Sequence, residues 1–413
     1  MITRREFIKN SVITVGGIAM LESPFKYGID KNPPKKSTVV SVAGSDMLKG
    51  QKYNPETVHR AFLAGLRELT GENKLESAWS SIFTPDDVVG IKINCLGAPK
   101  ISSSLVSINE VIVGLKSAGV KENNIIIWDR LDREFKRTSL KLNKSSKGVQ
   151  VRGTSAQWEG VVPWVEGYDR DVYLSLEDGT LKKFRELINN NLTENGTHRD
   201  IFNSVTWLWM LVQQGNEKAQ KYRDEIRRLY MDYNDREGIK RITEEVADEF
   251  NDVTIEDEEK SCFSEIVTKD ITKLINIAVL KHNEDSGITW ALKNIALGVT
   301  TNKVRFHIDY CTRSIAEILN FPCLKDKMVL HIGEAAKIST VSVLGAQLAF
   351  DNRIFFSADP VAMDRIGLDI LEQRRLEQKL DSIRDISTHI AACAKKGLGT
   401  DDVKKIDMRE LKV

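Results

Sequence analysis

The stretch DDVVGIKINCLG, residues 86–97, is followed by SINEVIVGLKSAGV, residues 107–120, and then by NNIIIWDR, residues 123–130. The first and third segments are β-branched runs, which are typical of strands buried on both faces. The second segment has apolar residues at helical spacing and closes on Gly119. A strand, a helix and a strand with short connections form a parallel βαβ unit. This stretch therefore predicts an α/β fold.

The same alternation continues towards both ends of the chain. Further strands are predicted at residues 37–45, 272–281, 327–333 and 353–359, and further helices at residues 57–71, 287–298 and 360–379. The two ends of the chain are therefore expected to form one domain, a mainly parallel sheet flanked by helices. Its parts are predicted at residues 37–154 and 263–413.

Residues 155–262 have a different character. They contain charged helical patterns, with Trp207, Trp209 and Met210 as expected core residues, and they end in the acidic run DEFNDVTIEDEEK. An acidic run of this kind is typical of a solvated face. The pattern predicts a helical insertion into the α/β domain.

The first 23 residues, MITRREFIKNSVITVGGIAMLES, have the plan of an export signal. Arg4 and Arg5 precede a nearly uncharged segment that is too short to span a bilayer comfortably. The arginine pair and Phe7 are typical of a twin-arginine signal, with residues 24–36 as a linker. We therefore expect the twin-arginine translocase as a partner. The expected location is the periplasm or, because no clear A-x-A cleavage site follows, the outer face of the inner membrane with the signal as a tether. The alternative is an amphipathic first helix.

The overall composition excludes some functions. The 60 basic and 59 acidic residues give a net charge of +1, so there is no electrostatic case for nucleic-acid binding. The five cysteines are widely spaced without a C-x-x-C motif, so no iron–sulfur cluster is expected, and buried thiols are favoured. The sequence does not identify a cofactor.

Polar side chains follow several of the predicted strands at the point where each strand ends. They are Lys92, Asn94, Lys281, His282, Asn283 and Asp359, and Lys293 and Asn294 lie on the helix predicted after Asn283. The carboxyl ends of parallel strands share one edge of a sheet, where ligands bind. We therefore expect one cleft in which Lys281, His282 and Asp359 are catalytic. The other five residues would bind a small anionic ligand or cofactor.

Each of these residues also has a purely structural interpretation. Asp359 precedes Pro360 and is expected to cap a helix. On spacing alone, Lys281 and His282 fit a polar loop with a surface histidine better than an anion site. His307, with Asp309 and His282, is a candidate metal ligand, although no H-x-x-x-H or H-E-x-x-H pattern accompanies it.

Four segments taken together resemble the bacterial and archaeal family called domain of unknown function 362. They are VVGIKINCLGAPKISSSLVSINEVIVGLKSAGVKENNIIIWDR, LINIAVLKHNEDSGITWALKNIALGV, RFH and FSADPVAMDRIGLDIL. The resemblance covers roughly residues 80–135 and 260–400, and it points to the residues named above and to Asp364. The chemistry of this family is not established. The resemblance supplies positions and no reaction, so the leading hypothesis comes from the strand-end residues: an exported enzyme that acts on or through an anionic ligand or cofactor, with the reaction unassigned. The alternative is a periplasmic binding or assembly protein without catalysis.

Overall fold

The structure, a computed structural model, describes residues 36–160, 162–176, 221–231, 235–250, 257 and 259–413. The predicted signal, nearly all of the predicted linker, and the residues Trp207, Trp209 and Met210 lie outside the described residues. Export and the packing of those three side chains therefore stay predictions.

A ten-stranded mixed sheet organises the described chain. Its strands are β1 (Ser37–Ala43), β4 (Val89–Lys92), β5 (Ile125–Leu131), β6 (Gln150–Ser155), β9 (Lys273–Asn283), β10 (Gly287–Thr289), β11 (Met328–Val341), β12 (Gln347–Phe350), β13 (Arg353–Ser357) and β14 (Ile406–Lys412). Eight of them form a continuous path in the order β14-β1-β13-β11-β9-β4-β5-β6, while β10 pairs with β9 and β12 pairs with β11. Two small sheets pair β2 (Leu48–Lys49) with β3 (Lys52–Tyr53) and β7 (Tyr168–Ser175) with β8 (Lys260–Ser264).

Strand direction decides which residues share an edge of the large sheet. β11, β9, β4, β5 and β6 are successively parallel, so their carboxyl ends lie at one edge. β13 runs antiparallel to both of its neighbours, β11 and β1. The mainly parallel α/β sheet predicted from the sequence is confirmed.

The helices of the described chain are α1 (Pro55–Thr70), α2 (Leu75–Ile82), α3 (Leu105–Ser117), α4 (Arg223–Met231), α5 (Arg236–Phe250), α6 (Ala291–Ala296), α7 (Thr312–Leu319), α8 (Pro322–Lys325), α9 (Pro360–Glu377) and α10 (His389–Lys395). Helices α1 and α2 pack on one face of the large sheet, and α6 and α9 pack on the other. Successive side chains of a strand point to opposite faces. Accordingly, Ile275 packs with Phe62 and Trp79 of α1 and α2, whereas Leu274 packs with Trp290 and Met363 near α6 and α9. The sheet is therefore buried between two hydrophobic layers.

The segment GITWALKNIALG, residues 287–298, departs from its predicted helix. Its first three residues form β10, because Ile288 pairs with His282 and Thr289 with Lys281 in an antiparallel register. Gly287 adopts a φ of +69°, a conformation that glycine adopts without strain and that begins this tight return. The helix α6 therefore starts only at Ala291.

The described part of residues 155–262 contains α4, α5 and β7. Whether this segment is a separate insertion stays a prediction. Cys95, Cys262, Cys311 and Cys393 are buried, as expected for thiols that act as small apolar side chains. Among the helices of the described chain, none is both long and apolar enough to cross a bilayer.

Candidate functional site

A cavity of about 600 Å³ opens at the edge where the parallel strands end. This volume is within the usual range for small-molecule sites. Its charged and amide-bearing lining residues are Lys92, Asn94, Asp129, Arg130, Asn283, Glu284, Asp285, Lys293, Asn294, Lys303 and His307. Five of the predicted binding residues, namely Lys92, Asn94, Asn283, Lys293 and Asn294, therefore meet in one place.

Lys92 forms the buried floor of this cavity. Its Nζ lies 2.7 Å from Asp129 Oδ1 and donates to the Ile93 carbonyl at 2.6 Å. Burial raises the pKa of Asp129, but the charges of Lys92 and Arg130 outweigh burial and hold that pKa below its ordinary value. A Cβ atom at position 298 would lie 2.3 Å from Lys92 Cε, so Gly298 leaves the space that this side chain occupies.

A directional chain of hydrogen bonds links the cavity to the interior of the sheet. Lys281 donates to Asn94 at 2.6 Å, Asn94 donates to Asn294 at 3.0 Å, and Asn294 donates to Asn276 at 2.7 Å. The Asn276 amide then lies 3.3 Å from Nδ1 of the buried His331. Such chained amides hold each other in one orientation. Asn94 and Asn294 therefore reach the cavity with fixed side chains.

Lys281 supports the cavity from below without lining it. The fully buried Nζ donates to Asn94 Oδ1, to the Leu96 carbonyl, and to the Ile101 carbonyl at 2.9 Å. These three acceptors use all three ammonium donors. Burial lowers the pKa of Lys281 to about 7. Lys281 therefore fastens the loop of residues 94–101, and the structure does not bring its amine to the cavity surface.

His282 supports a second loop. It is buried, and its Nδ1 accepts a hydrogen bond from the Ser342 backbone amide at 3.3 Å. Burial lowers the pKa of His282 to about 4, and the charges of Arg375 and Lys293 act in the same direction. The imidazole is therefore neutral near pH 7. It holds the segment whose residues Val343 and Leu344 line the cavity, and it is not itself a lining residue.

Asp359 does not join the cluster, contrary to the expectation of a single convergent cleft. β13 runs antiparallel to β11, so its carboxyl end lies at the opposite edge of the sheet. There the Asp359 carboxylate accepts hydrogen bonds from the amides of Val361 and Ala362, each at 2.8 Å, and from Ser37 Oγ at 2.5 Å. Its position is that of the N-cap of α9, which is the structural interpretation of this residue.

Asp364 positions α6, which carries Lys293 and Asn294. Its carboxylate accepts from the amides of Ala291 at 2.6 Å and Leu292 at 3.1 Å, the first residues of that helix. Burial raises the pKa of Asp364 to about 7, against the opposing effect of these two donors. From α6, Lys293 Nζ donates to Asn283 Oδ1 at 2.8 Å and to Ser286 Oγ at 2.5 Å.

Three important residues of the site were not identified from the sequence: Arg130, Glu159 and Lys303. Lys303 Nζ donates to Glu159 Oε1, and Arg130 Nη1 lies 3.7 Å from the same oxygen. Burial lowers the pKa of Lys303 to about 8, although Glu159 opposes the shift. Lys303 is therefore a lining group that can gain or lose a proton near neutral pH.

Their sequence signals differ. Arg130 directly follows Asp129 at the end of a predicted strand, and the rule that ligands gather at strand ends could have found it. Glu159 and Lys303 lie in irregular segments 144 residues apart, and no motif marks either of them.

His307 lines the cavity, as its predicted role as a ligand requires. Its Nδ1 lies 3.0 Å from the Val304 carbonyl, so Nδ1 carries the proton that is donated. In the part of the chain that the structure covers, no group of three or more His, Cys, Asp or Glu side chains is placed to hold a metal ion. The prediction of a metal at His307 with Asp309 and His282 therefore has no support.

Comparison with known proteins finds one family model that matches part of the chain, and it identifies no activity. The family model Domain of unknown function (DUF362) matches residues 225–369, which include Lys281, His282, Lys293, His307 and Asp364. This match supports the resemblance over the second half of the site and does not extend to residues 80–135. No curated protein matches the chain.

One solved structure is similar over much of the chain. It is a structural-genomics crystal structure of a protein from Thermotoga maritima, with 10% sequence identity and a TM-score of 0.35. The similarity covers 81% of this chain, which spans 61% of the length of that protein.

Proposed function

We propose that this protein is an enzyme that acts on, or through, a small anionic ligand bound in the strand-end cavity. The observation that carries the proposal is the convergence of Lys92, Arg130, Lys293 and Lys303 on one cavity of about 600 Å³. Three of these cations have an acidic partner, because Lys92 is paired with Asp129, Arg130 with Glu134 and Lys303 with Glu159. Lys293 donates to the neutral oxygens of Asn283 and Ser286, and the acidic residues Glu284 and Asp285 also line the cavity. Partly buried cations in a concave site attract anions more strongly than the same charges in open water.

Lys303 supports a chemical role beyond binding. A general acid or base works best when its pKa lies near the operating pH, and burial lowers the pKa of Lys303 to about 8. Glu159 holds this amine through Oε1 and is itself fully buried. We therefore assign proton transfer to Lys303, in place of the roles first expected for His282 and Lys281.

The alternative is a binding or assembly protein in which the same cations only hold the ligand. The experiment that tests anion binding is native mass spectrometry of purified full-length protein, with metal analysis, followed by titration with inorganic phosphate. We expect a retained anion or measurable phosphate binding. Lys303→Met combined with Glu159→Gln should weaken anion binding without leaving a buried carboxylate unpaired, whereas Lys121→Met, at an exposed lysine, should not change it. A protein that binds no anion in either assay would refute the proposal.

Catalysis is tested separately with Lys303→Arg, which keeps the charge but replaces the amine with a group that does not lose its proton. Wild-type protein and this variant are incubated with an extract of anionic metabolites, and the mixtures are compared by mass spectrometry. Consumption of one metabolite by the wild type alone supports the enzyme. A metabolite that both proteins bind and neither changes supports the binding protein.

We also propose that the protein is exported by the twin-arginine translocase to the periplasm or to the outer face of the inner membrane. This proposal is supported by Arg4, Arg5 and Phe7 and by the nearly uncharged residues that follow them.

A further inference from the structure

We infer that the ligand of this cavity is an amphiphilic anion, in which a phosphate or carboxylate is joined to an apolar group such as a phenyl ring. This inference rests on the proposed binding of an anion. The cavity lining has two kinds of surface, and the cations account for only one of them. The other is formed by Leu96, Trp158, Leu297, Val343 and Leu344.

Two loops that contact each other build much of the apolar surface. The first, residues 94–101, contributes Leu96, and the second, residues 342–345, contributes Val343 and Leu344. A Cβ atom at Gly97 would lie 2.9 Å from the Val343 carbonyl oxygen, so the two backbones approach closely. A Cβ atom at Gly345 would likewise lie 2.8 Å from Ile101 Cγ2.

Buried polar residues hold both loops in place. Lys281 donates to the Leu96 and Ile101 carbonyls of the first loop, and His282 accepts from the Ser342 amide of the second. An apolar surface fastened in this way is organised before a ligand arrives. Binding then does not have to order the loops, which is a cost that mobile loops impose.

The apolar side chains remain accessible. Leu344 is 53% exposed, and Leu96, Leu297 and Trp158 are half-buried. A Cβ atom at position 160 would lie 2.8 Å from the Trp158 ring, so Gly160 gives the indole its space in the wall. Apolar surface beside buried cations favours a ligand that satisfies both, because covering the apolar part adds affinity without loss of the ion pair.

The test compares matched pairs of probes on the full-length protein by isothermal titration calorimetry. The pairs are inorganic phosphate with phenyl phosphate, and acetate with phenylacetate, so that the two anionic groups are distinguished. We expect the phenyl compound of at least one pair to bind at least tenfold more tightly than its partner. Leu344→Ser should reduce this ratio at least threefold. Leu376→Ser, at a similarly exposed leucine on α9, should leave the ratio unchanged.

The possible failures are distinguishable. Equal affinities within both pairs would refute the inference of an amphiphilic ligand but would still be consistent with an anion site. A ratio that Leu344→Ser does not change would overturn it as well, because the phenyl group would then lie elsewhere. If none of the four probes binds, both this inference and the proposed anion site are wrong.

Discussion

Replacing Lys281 with methionine should remove a pH dependence of stability that this buried amine creates. The pKa of Lys281 is about 7 in the folded protein, compared with an ordinary value of 10.5, because burial disfavours the charged form. Below pH 7 both the folded and unfolded states hold the proton, and the full cost of burying the charge is present. Between pH 7 and 10.5 the unfolded state binds more protons, so the free energy of unfolding rises with pH.

The magnitude follows from the size of the pKa shift. A shift of one pKa unit corresponds to about 1.4 kcal/mol, and integration between pH 7 and pH 9 gives a gain of about 2 kcal/mol for the wild type. Lys281→Met has no titrating group at this position and should lack that gain. Methionine also keeps much of the volume of the lysine stem, so the comparison is not dominated by a cavity.

The assay is urea denaturation of the full-length protein at pH 7, 8 and 9, followed by tryptophan fluorescence. The quantity compared is the difference in unfolding free energy between wild type and variant, which removes the titration of other groups from the result. Lys121→Met, at an exposed lysine, serves as the control and should give a constant difference. A constant difference for Lys281→Met would refute the reasoning, because it would mean that the three oxygen acceptors keep the ammonium charged despite burial.

Three further predictions concern other parts of the chain. Burial raises the pKa of Asp364 in the folded protein to about 7, above the ordinary 3.8, so the wild type loses stability as the pH rises from 4 to 7. Asp364→Asn lacks this loss, and in urea denaturation its free energy of unfolding relative to wild type should rise by about 3 kcal/mol over that range. A difference between the two proteins that does not change with pH would contradict this. Gly298→Ala should lower the melting temperature and weaken phosphate binding in calorimetry, because its Cβ would lie 2.3 Å from Lys92 Cε. Overpacking of this kind costs about 1–3 kcal/mol. An unchanged affinity would show that Lys92 can move at no cost. Replacing Arg4 and Arg5 with lysine should leave folded protein in the cytoplasm on fractionation, and an unchanged periplasmic yield would exclude the twin-arginine signal.

The sheet could be predicted from the sequence because its strands are marked locally. The runs around Ile91, Ile126 and Ile277 are apolar and β-branched, and each forms a buried strand.

The direction of β13 could not be predicted in the same way. β11 continues to Val341, and its polar residues Glu334, Lys337 and Ser339 interrupt the apolar run from which a buried strand is predicted. Because only short loops connect β11 to β12 and β12 to β13, both of these strands run antiparallel to β11. Asp359, which follows β13, therefore lies at the edge of the sheet away from the cleft.

The candidate site was predictable where it follows strand ends and unpredictable where it depends on tertiary contacts. Lys92, Asn94 and Asn283 are at or next to the ends of parallel strands and line the cavity. The pairing of Lys303 with Glu159 exists only once irregular segments distant in the chain have met. No periodicity or spacing encodes such a contact, so Lys303, a lining group whose pKa burial lowers to about 8, was not predicted from the sequence.

Lys281 and His282 show why a polar pair at a strand end is ambiguous evidence for catalysis. Adjacent side chains of a strand point to opposite faces, so Lys281 reaches the loop of residues 94–101 and His282 reaches Ser342. Both are buried, unlike the polar surface loop that their spacing would also fit, and their replacement by alanine should therefore cost stability. Loss of ligand binding in such variants would not identify a catalytic group, because it would also follow from displacement of the cavity walls. Lys303→Arg keeps the positive charge at the cavity and removes proton release near neutral pH. Because Lys303 is buried, the larger guanidinium also changes packing, so a loss of turnover identifies a catalytic group only when the melting temperature and anion affinity of the variant match those of the wild type.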